Sequence, residues 1–170
     1  VLLDDRVTGD ARIKKLEDVS ASAGGSYPTV WGRAEVAIGE ALLKEGKTAE
    51  AEKAFRDVVK ATGADNRALA GAWSGLGACV FGKASVAKEA GEEGADAMLR
   101  ESALAFMRVV ILYRDQTRYL SGALYWAGRS FDLIGDDESA DRAQRLYRKV
   151  IRNHKGTRWE QEARAFIRRT

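Results

Sequence analysis

A two-helix pattern recurs along this chain and constrains its fold more than any other feature. Its clearest copy runs from Gly122 to Asn153, where two amphipathic stretches flank a short polar turn. The second stretch places Ala143, Tyr147 and Val150 at i, i+4 and i+7, which is the spacing of one helix face. Because a single unit of this kind cannot bury its apolar face alone, neighbouring copies must stack on it.

The second stretches of three copies align without gaps. They run from Ala54 to Val59, from Ala105 to Val110 and from Leu146 to Ile151. The first stretches share an apolar residue followed by glycine, at Ile38-Gly39, Leu76-Gly77 and Ala127-Gly128. This repetition predicts an all-α protein, an α-α superhelix of about three helix-turn-helix units with a C-terminal capping helix.

We expect one domain over residues 1–170. Its predicted parts are an N-terminal cap or partial repeat at 1–29, repeat 1 at 30–65, an extended repeat 2 at 66–116, repeat 3 at 117–155 and the capping helix at 156–170. Predicted helices cover 28–45, 49–62, 67–90, 97–114, 117–134, 139–153 and 159–167, and a short helix covers 10–19 before a loop at 21–28. Thr48 and either Asp65 or Asn66 are predicted to cap the helices that follow them.

Composition supports a folded helical chain. With 45% apolar and 31% charged residues, the 170 residues can bury a sizeable core, and wholesale disorder is not expected. The longest apolar run, Val109 to Tyr113, is far shorter than the roughly 18 residues that span a bilayer. Since the chain begins at Val1 rather than Met, we interpret it as a mature or excised segment.

These units resemble tetratricopeptide repeats. The resemblance rests on the apolar-small step, on the glycine at the turn, and on the small-x-x-x-aromatic pattern of the second helix. Repeat 3 is most similar to bacterial cell-envelope members, such as the Tol–Pal accessory protein and the outer-membrane assembly lipoprotein, through Tyr125-Trp126-x-Gly128 and the stretch from Val150 to His154. The resemblance implies a non-enzymatic scaffold that binds a peptide or helix of another protein in a concave groove.

The family pattern also implies which positions face that groove. In repeat 1 they are Arg33, Glu40 and Lys44. Repeat 2 supplies Gly71, Ser74, Gly75, Ala78 and Phe81, and repeat 3 supplies Tyr125, Arg129 and Asp132. The glycines form either a smooth groove floor or a close contact with a neighbouring helix, and Trp126 lies either in the groove or in the core. Val36 and Glu40 stand where the family's carboxylate clamp needs other residues, so chaperone C-termini are not the expected partner.

No catalytic constellation, metal site or cofactor is predicted. His154 is the only histidine and lies where a helix ends, and Cys79 is the only cysteine and lies in a buried-looking helix. The glycines between Gly71 and Gly77 follow no strand, as a phosphate loop would require. We therefore predict that the chain is not an enzyme.

A basic C-terminal segment offers a different function. Residues 141–170 hold ten Lys and Arg against three Asp and Glu, although the whole chain has a net charge of only +3. Arg145, Lys149 and Arg152 share one helix face and are candidate contacts for an anionic partner, either nucleic acid or lipid. The usual role of such a face is a solvated surface, and nucleic acid is the less expected ligand. A self-assembly role and a homo-oligomer are further alternatives.

Overall fold

The computed structural model describes residues 9–167, and all regular structure within this range is helical. The helices are α1 (Asp10–Ala23), α2 (Pro28–Lys44), α3 (Thr48–Lys60), α4 (Asn66–Glu89), α5 (Ala95–Leu112), α6 (Thr117–Ile134), α7 (Asp137–Asn153) and α8 (Arg158–Phe166). A 3-10 turn, Gly24–Ser26, joins α1 to α2. The predicted all-α class is confirmed. None of the described helices is long and apolar enough to cross a membrane.

The chain divides into two compact units, residues 1–75 and 76–170, and the division falls inside α4. In the first unit α1 packs on α2 and α2 packs on α3. In the second unit α5 packs on α6, α6 packs on α7 and α7 packs on α8, and α8 also contacts α6. Helices that follow one another in sequence therefore pack together within each unit, as the repeat pattern predicts.

Most helix ends lie where the sequence predicts them, because capping residues and apolar periodicity are local signals. The seven helices from α2 onward begin and end within two residues of the predicted positions. Asp65 caps α4, since its Oδ1 accepts a hydrogen bond of 2.9 Å from the Ala68 amide. The predicted Thr48 cap is wrong. Thr48 is itself the first residue of α3, and Lys47 in the capping position makes no side-chain bond to the helix.

The N-terminal segment is more helical than predicted. The expected loop at 21–28 contains the last turn of α1 and the 3-10 turn. Tertiary contact accounts for the longer helix. Ser20 donates a hydrogen bond to the Glu35 carboxylate of α2, and Ala23 is buried.

The spacing of glycine and aromatic residues that recurs along the chain has a packing reason, which is seen first in unit 1. A Cβ added to Gly39 of α2 would lie 2.5 Å from the Phe55 ring of α3, and one added to Gly75 of α4 would lie 2.3 Å from the same ring. Carbon atoms pack at about 3.5–4.0 Å, so neither position accommodates a side chain without movement. Phe55 is thus held between two glycines and is fully buried.

Unit 2 repeats this contact with one glycine per aromatic ring. A Cβ on Gly77 of α4 would lie 2.9 Å from the Phe106 ring of α5, and a Cβ on Gly128 of α6 would lie 2.7 Å from the Tyr147 ring of α7. The glycine of the apolar-small step in each first helix therefore packs against the aromatic ring of the following second helix.

Candidate functional site

A cleft in the first unit lies between the start of α1 and the C-terminal half of α2. It is lined by Gly9, Arg12, Ala37, Glu40, Ala41, Lys44 and Glu45. Glu40 and Lys44 are two of the three groove positions expected in repeat 1, so the fold brings them to one concave surface. Ala37 and Ala41 of α2 contribute small side chains to the lining of this cleft.

Charges of both signs surround the cleft. Arg12 and Lys44 are basic, whereas Glu40 and Glu45 are acidic. Nearby, the exposed Lys47 ammonium lies 3.0 Å from Asp10 Oδ1, and this hydrogen bond raises the pKa of Lys47. The lining of the cleft therefore has no excess of either sign of charge.

Arg33, the third expected groove position of repeat 1, has a packing role in the structure. Its guanidinium donates from Nε (3.0 Å) and Nη2 to Asp65 Oδ2, so it links α2 to the residue that caps α4. Burial alone would raise the pKa of Asp65, but the hydrogen bonds from Arg33 and from the Ala68 amide lower it overall. About half of the Arg33 side chain remains exposed.

The glycines of α4 have different surroundings. Gly75 makes the close-packing contact with Phe55, and Gly71 is buried. Gly82 is exposed and an added Cβ there would meet nothing within 4 Å. Ser74 is half-buried, and its Oγ finds no hydrogen-bond partner among the described residues. At Gly75 the helix contact, rather than a groove floor, explains the glycine.

In the second unit, the remaining α4 positions are half-buried. Ala78 lies partly exposed, and Phe81 packs against the buried cluster of Ala84, Leu99 and Ile134. The Phe81 ring also meets Trp126 edge-on at 5.0 Å between centroids. Phe81 therefore contributes mainly to the core of this unit.

Tyr125 is enclosed by the aromatic residues of its own unit. Only 3% of it is exposed, and its ring lies 5.2 Å from Trp126 and 5.1 Å from Trp159 of α8. A direct contact between Tyr125 and a partner would require α8 to move. Trp126, for which the sequence allowed either location, also packs on Trp159, at 5.9 Å, and is half-buried.

Arg129 and Asp132 lie beside this cluster. The Arg129 guanidinium stacks 4.1 Å above the Phe166 ring, and its Nη1 lies 3.4 Å from the Tyr125 hydroxyl. Its buried Nε finds no acceptor in the described part of the chain. Asp132 is half-buried, and together with burial, which is the larger cause, it raises the pKa of Tyr147. Both residues are partly covered, so they are less available to a partner than their helix face predicts.

The sequence missed the role of α8 at this surface. Trp159 and Phe166 cover the first helix of repeat 3, and Phe166 also stacks on Tyr147 at 5.7 Å. The amphipathic pattern of 159–167 predicts a capping helix without indicating which side chains it covers. The sequence analysis also did not place Arg12 in the cleft, because the helical pattern of α1 is weak.

The basic face of α7 is exposed as expected. Arg145, Lys149 and Arg152 all lie at the surface, and no carboxylate among the residues 9–167 forms an ion pair with them. Arg168 and Arg169, which belong to the same basic segment, lie outside the described residues. The three side chains are therefore accessible to an anionic partner.

The two residues most open to a chemical interpretation are placed as predicted. His154 follows the last residue of α7 and is half-buried, and burial together with Lys149 lowers its pKa. Cys79 is buried in α4. No group of three or more His, Cys, Asp or Glu side chains in the described range could hold a metal ion. The glycines from Gly71 to Gly77 lie inside α4, where they open no helix.

Comparison with known proteins identifies part of the repeat. A family model described as a tetratricopeptide repeat matches residues 122–157, which cover most of α6 and all of α7. No curated protein and no solved structure matches the chain. The match supports a relationship to the tetratricopeptide-repeat family, on the same segment that carries the clearest two-helix pattern.

Proposed function

We propose that this chain is a non-enzymatic protein–protein interaction scaffold, which binds a peptide or helix of another protein on its concave helical surface. The observation that carries the proposal is the cleft of the first unit, where Glu40 and Lys44 line the same hollow as Ala37 and Ala41. The tetratricopeptide-repeat match supports the same class of function, because repeats of this type present concave surfaces to other proteins.

The proposed binding mode is an extended segment or a short helix laid along α2. Small side chains at Ala37 and Ala41 would admit a partner side chain, and the flanking charges would fix its direction. In keeping with the likeness of repeat 3 to cell-envelope members, the proposed partner is a protein of the bacterial cell envelope.

A random-peptide library displayed on phage and selected on the full chain tests this proposal. The affinity of the selected peptides is then measured by calorimetry for the native chain, for Ala37→Trp, which fills the cleft, and for Lys44→Glu, which reverses an exposed charge at its wall. We expect each variant to weaken binding by about tenfold or more, which corresponds to about 1.4 kcal/mol.

Lys53→Glu is the matched control, because Lys53 is exposed on α3 and does not line the cleft. Circular dichroism establishes that Ala37→Trp is folded, and Lys44→Glu supplies an independent reading if it is not. Peptides that bind both cleft variants as tightly as the native chain would contradict the proposal. Binding lost only when Arg145, Lys149 and Arg152 are changed to Glu, and falling steeply with salt, would favour the anionic-partner alternative instead.

A further inference from the structure

The outer face of α5 exposes three large apolar side chains. Leu104 is 58% exposed, Ile111 is 60% exposed and Leu112 is 61% exposed. Spacings of seven and eight residues place them on one side of the helix, along two turns. Single exposed apolar residues are ordinary, but three on one helix face form a patch that water solvates poorly.

The equivalent positions of the other second helices are charged. With Phe55, Phe106 and Tyr147 aligned, Leu104 and Ile111 correspond to Lys53 and Lys60 in α3 and to Arg145 and Arg152 in α7. Those four residues are exposed as well. The repeat therefore needs no apolar residue at these two positions, and the apolar face of α5 has a cause outside the packing of the repeat.

Charges at the two ends of the patch complement each other. Arg100 and Glu101 stand before it, Arg114 and Asp115 stand after it, and all four are exposed. If two copies of α5 are laid antiparallel about an axis between residues 107 and 108, Leu104 lies opposite Ile111 of the other copy. Arg114 and Asp115 follow Tyr113, the C-cap residue of α5, so the same axis brings Glu101 and Arg100 to the end of the other copy's helix that is followed by Arg114 and Asp115. One two-fold operation therefore pairs the apolar side chains and brings residues of opposite charge to the same end of the interface.

The face of α7 lacks this self-complementarity. Its equivalents of Glu101 and Arg114 are Arg142 and Lys155, which are like charges. Within the α5 patch, Arg108 lies between Leu104 and Ile111. Its aliphatic stem adds apolar surface to the patch.

We propose that the exposed face of α5 is a homodimer interface, in which two copies of the chain pair their α5 helices antiparallel. Leu104 and Ile111 of each copy are then buried against each other, and the Glu101–Arg114 and Arg100–Asp115 pairs close the two ends. Arg100 already lies 3.7 Å from Asp136 in its own chain, so in the dimer it serves two carboxylates. The interface uses no residue of the first-unit cleft.

Sedimentation equilibrium of the full chain, from low micromolar to near-millimolar concentration, tests the dimer. We expect the native chain to dimerise and Leu104→Glu with Ile111→Glu to raise the dissociation constant roughly a hundredfold or more, because each substitution acts twice in a symmetric interface. Val86→Glu is the matched control. Val86 is 67% exposed on α4, away from the α5 patch in sequence, and its substitution leaves the dissociation constant unchanged.

A charge exchange decides whether the pairing is the antiparallel one. Glu101→Arg alone and Arg114→Glu alone each place like charges together and weaken the dimer, whereas the double exchange restores it. All four residues changed in these variants are exposed, so circular dichroism is expected to show native helicity. A native chain that stays monomeric over the whole range, or a dimer indifferent to Leu104→Glu with Ile111→Glu, overturns the proposal. A double exchange no stronger than the single ones overturns the antiparallel register.

Discussion

Phe55 in the first unit and Tyr147 in the second occupy the same position of the repeat, yet their surroundings differ. Phe55 lies between Gly39 and Gly75, and both glycines are so close that an added Cβ would fall within 2.5 Å of the ring. One glycine, Gly128, lies against the Tyr147 ring, where an added Cβ would come within 2.7 Å, and the Phe166 ring stacks on Tyr147. One sequence motif thus supports a tighter contact in the first unit than in the second.

The repeat motif therefore determines which two residues contact each other, whereas the packing of the neighbouring helices determines how closely they approach. Phe55 is fully buried without a polar atom. The Tyr147 hydroxyl is buried beside Asp132, and burial, together with that carboxylate, raises its pKa. The same repeat position therefore buries a purely apolar ring in the first unit and a ring with a polar group in the second.

The largest effect is expected at Gly75. Gly75→Ala places a methyl group 2.3 Å from the Phe55 ring, so the ring or the helix must move. We expect this overlap to lower the free energy of unfolding by about 2 kcal/mol, despite the better helix propensity of alanine. Gly128→Ala, with more clearance, should cost about half as much. Urea unfolding followed by circular dichroism measures both values.

A double variant separates steric overlap from backbone effects. Phe55→Leu removes the ring, so Gly75→Ala added to Phe55→Leu should cost less than the same change in the native chain. An equal cost in both backgrounds would show that the two residues do not clash, and that Gly75 is required for another reason.

An intermediate effect is expected at the helix caps. Asp65 caps α4 and accepts hydrogen bonds from Arg33, whereas Asp136 caps α7 and lies 3.7 Å from Arg100. Asp65→Ala should lower the free energy of unfolding by about 1 kcal/mol at neutral pH. Asp136→Ala should have a smaller effect, because its carboxylate is solvated and its arginine is more distant.

The pH dependence of the Asp65 contribution has a definite sign. Its pKa is lower in the folded chain than the ordinary value of about 3.9, so the unfolded chain binds the proton first on acidification. The charge-dependent stability is therefore complete above about pH 5 and is lost as the pH falls below about 4. Asp65→Asn, which can still cap the helix, should abolish this part of the pH dependence, and thermal unfolding between pH 3 and pH 7 measures it.

The smallest effect is expected at Gly82, and it has the opposite sign. This glycine lies in the half of α4 that belongs to the second unit, and an added Cβ would meet nothing within 4 Å. Gly82→Ala should therefore raise the free energy of unfolding by up to about 1 kcal/mol, through helix propensity alone. A loss of stability in urea unfolding would reveal a contact at this position and would remove the contrast with Gly75.

The sequence alone predicted the helices of this protein and most of their ends. Asp65 was one of the two predicted caps of α4, and both ends of α6 were predicted correctly. Apolar periodicity and capping depend on residues within a few positions of each other, so the sequence carries these signals. The repeat also identified Gly128 and Tyr147 as equivalent to earlier pairs. The wrong prediction of a Thr48 cap and the loop predicted at 21–28 both fall where local signals were weak.

Whether a side chain on a predicted helix face is exposed or covered depends on tertiary contacts. The family resemblance implied that Tyr125 and Arg33 face a groove, but α8 encloses Tyr125 and Asp65 holds Arg33. Likewise, only the approach of α3 distinguishes the packed Gly75 from the open Gly82. These outcomes depend on how closely helices distant in sequence approach one another, and the periodicity of a single helix carries no information on that distance.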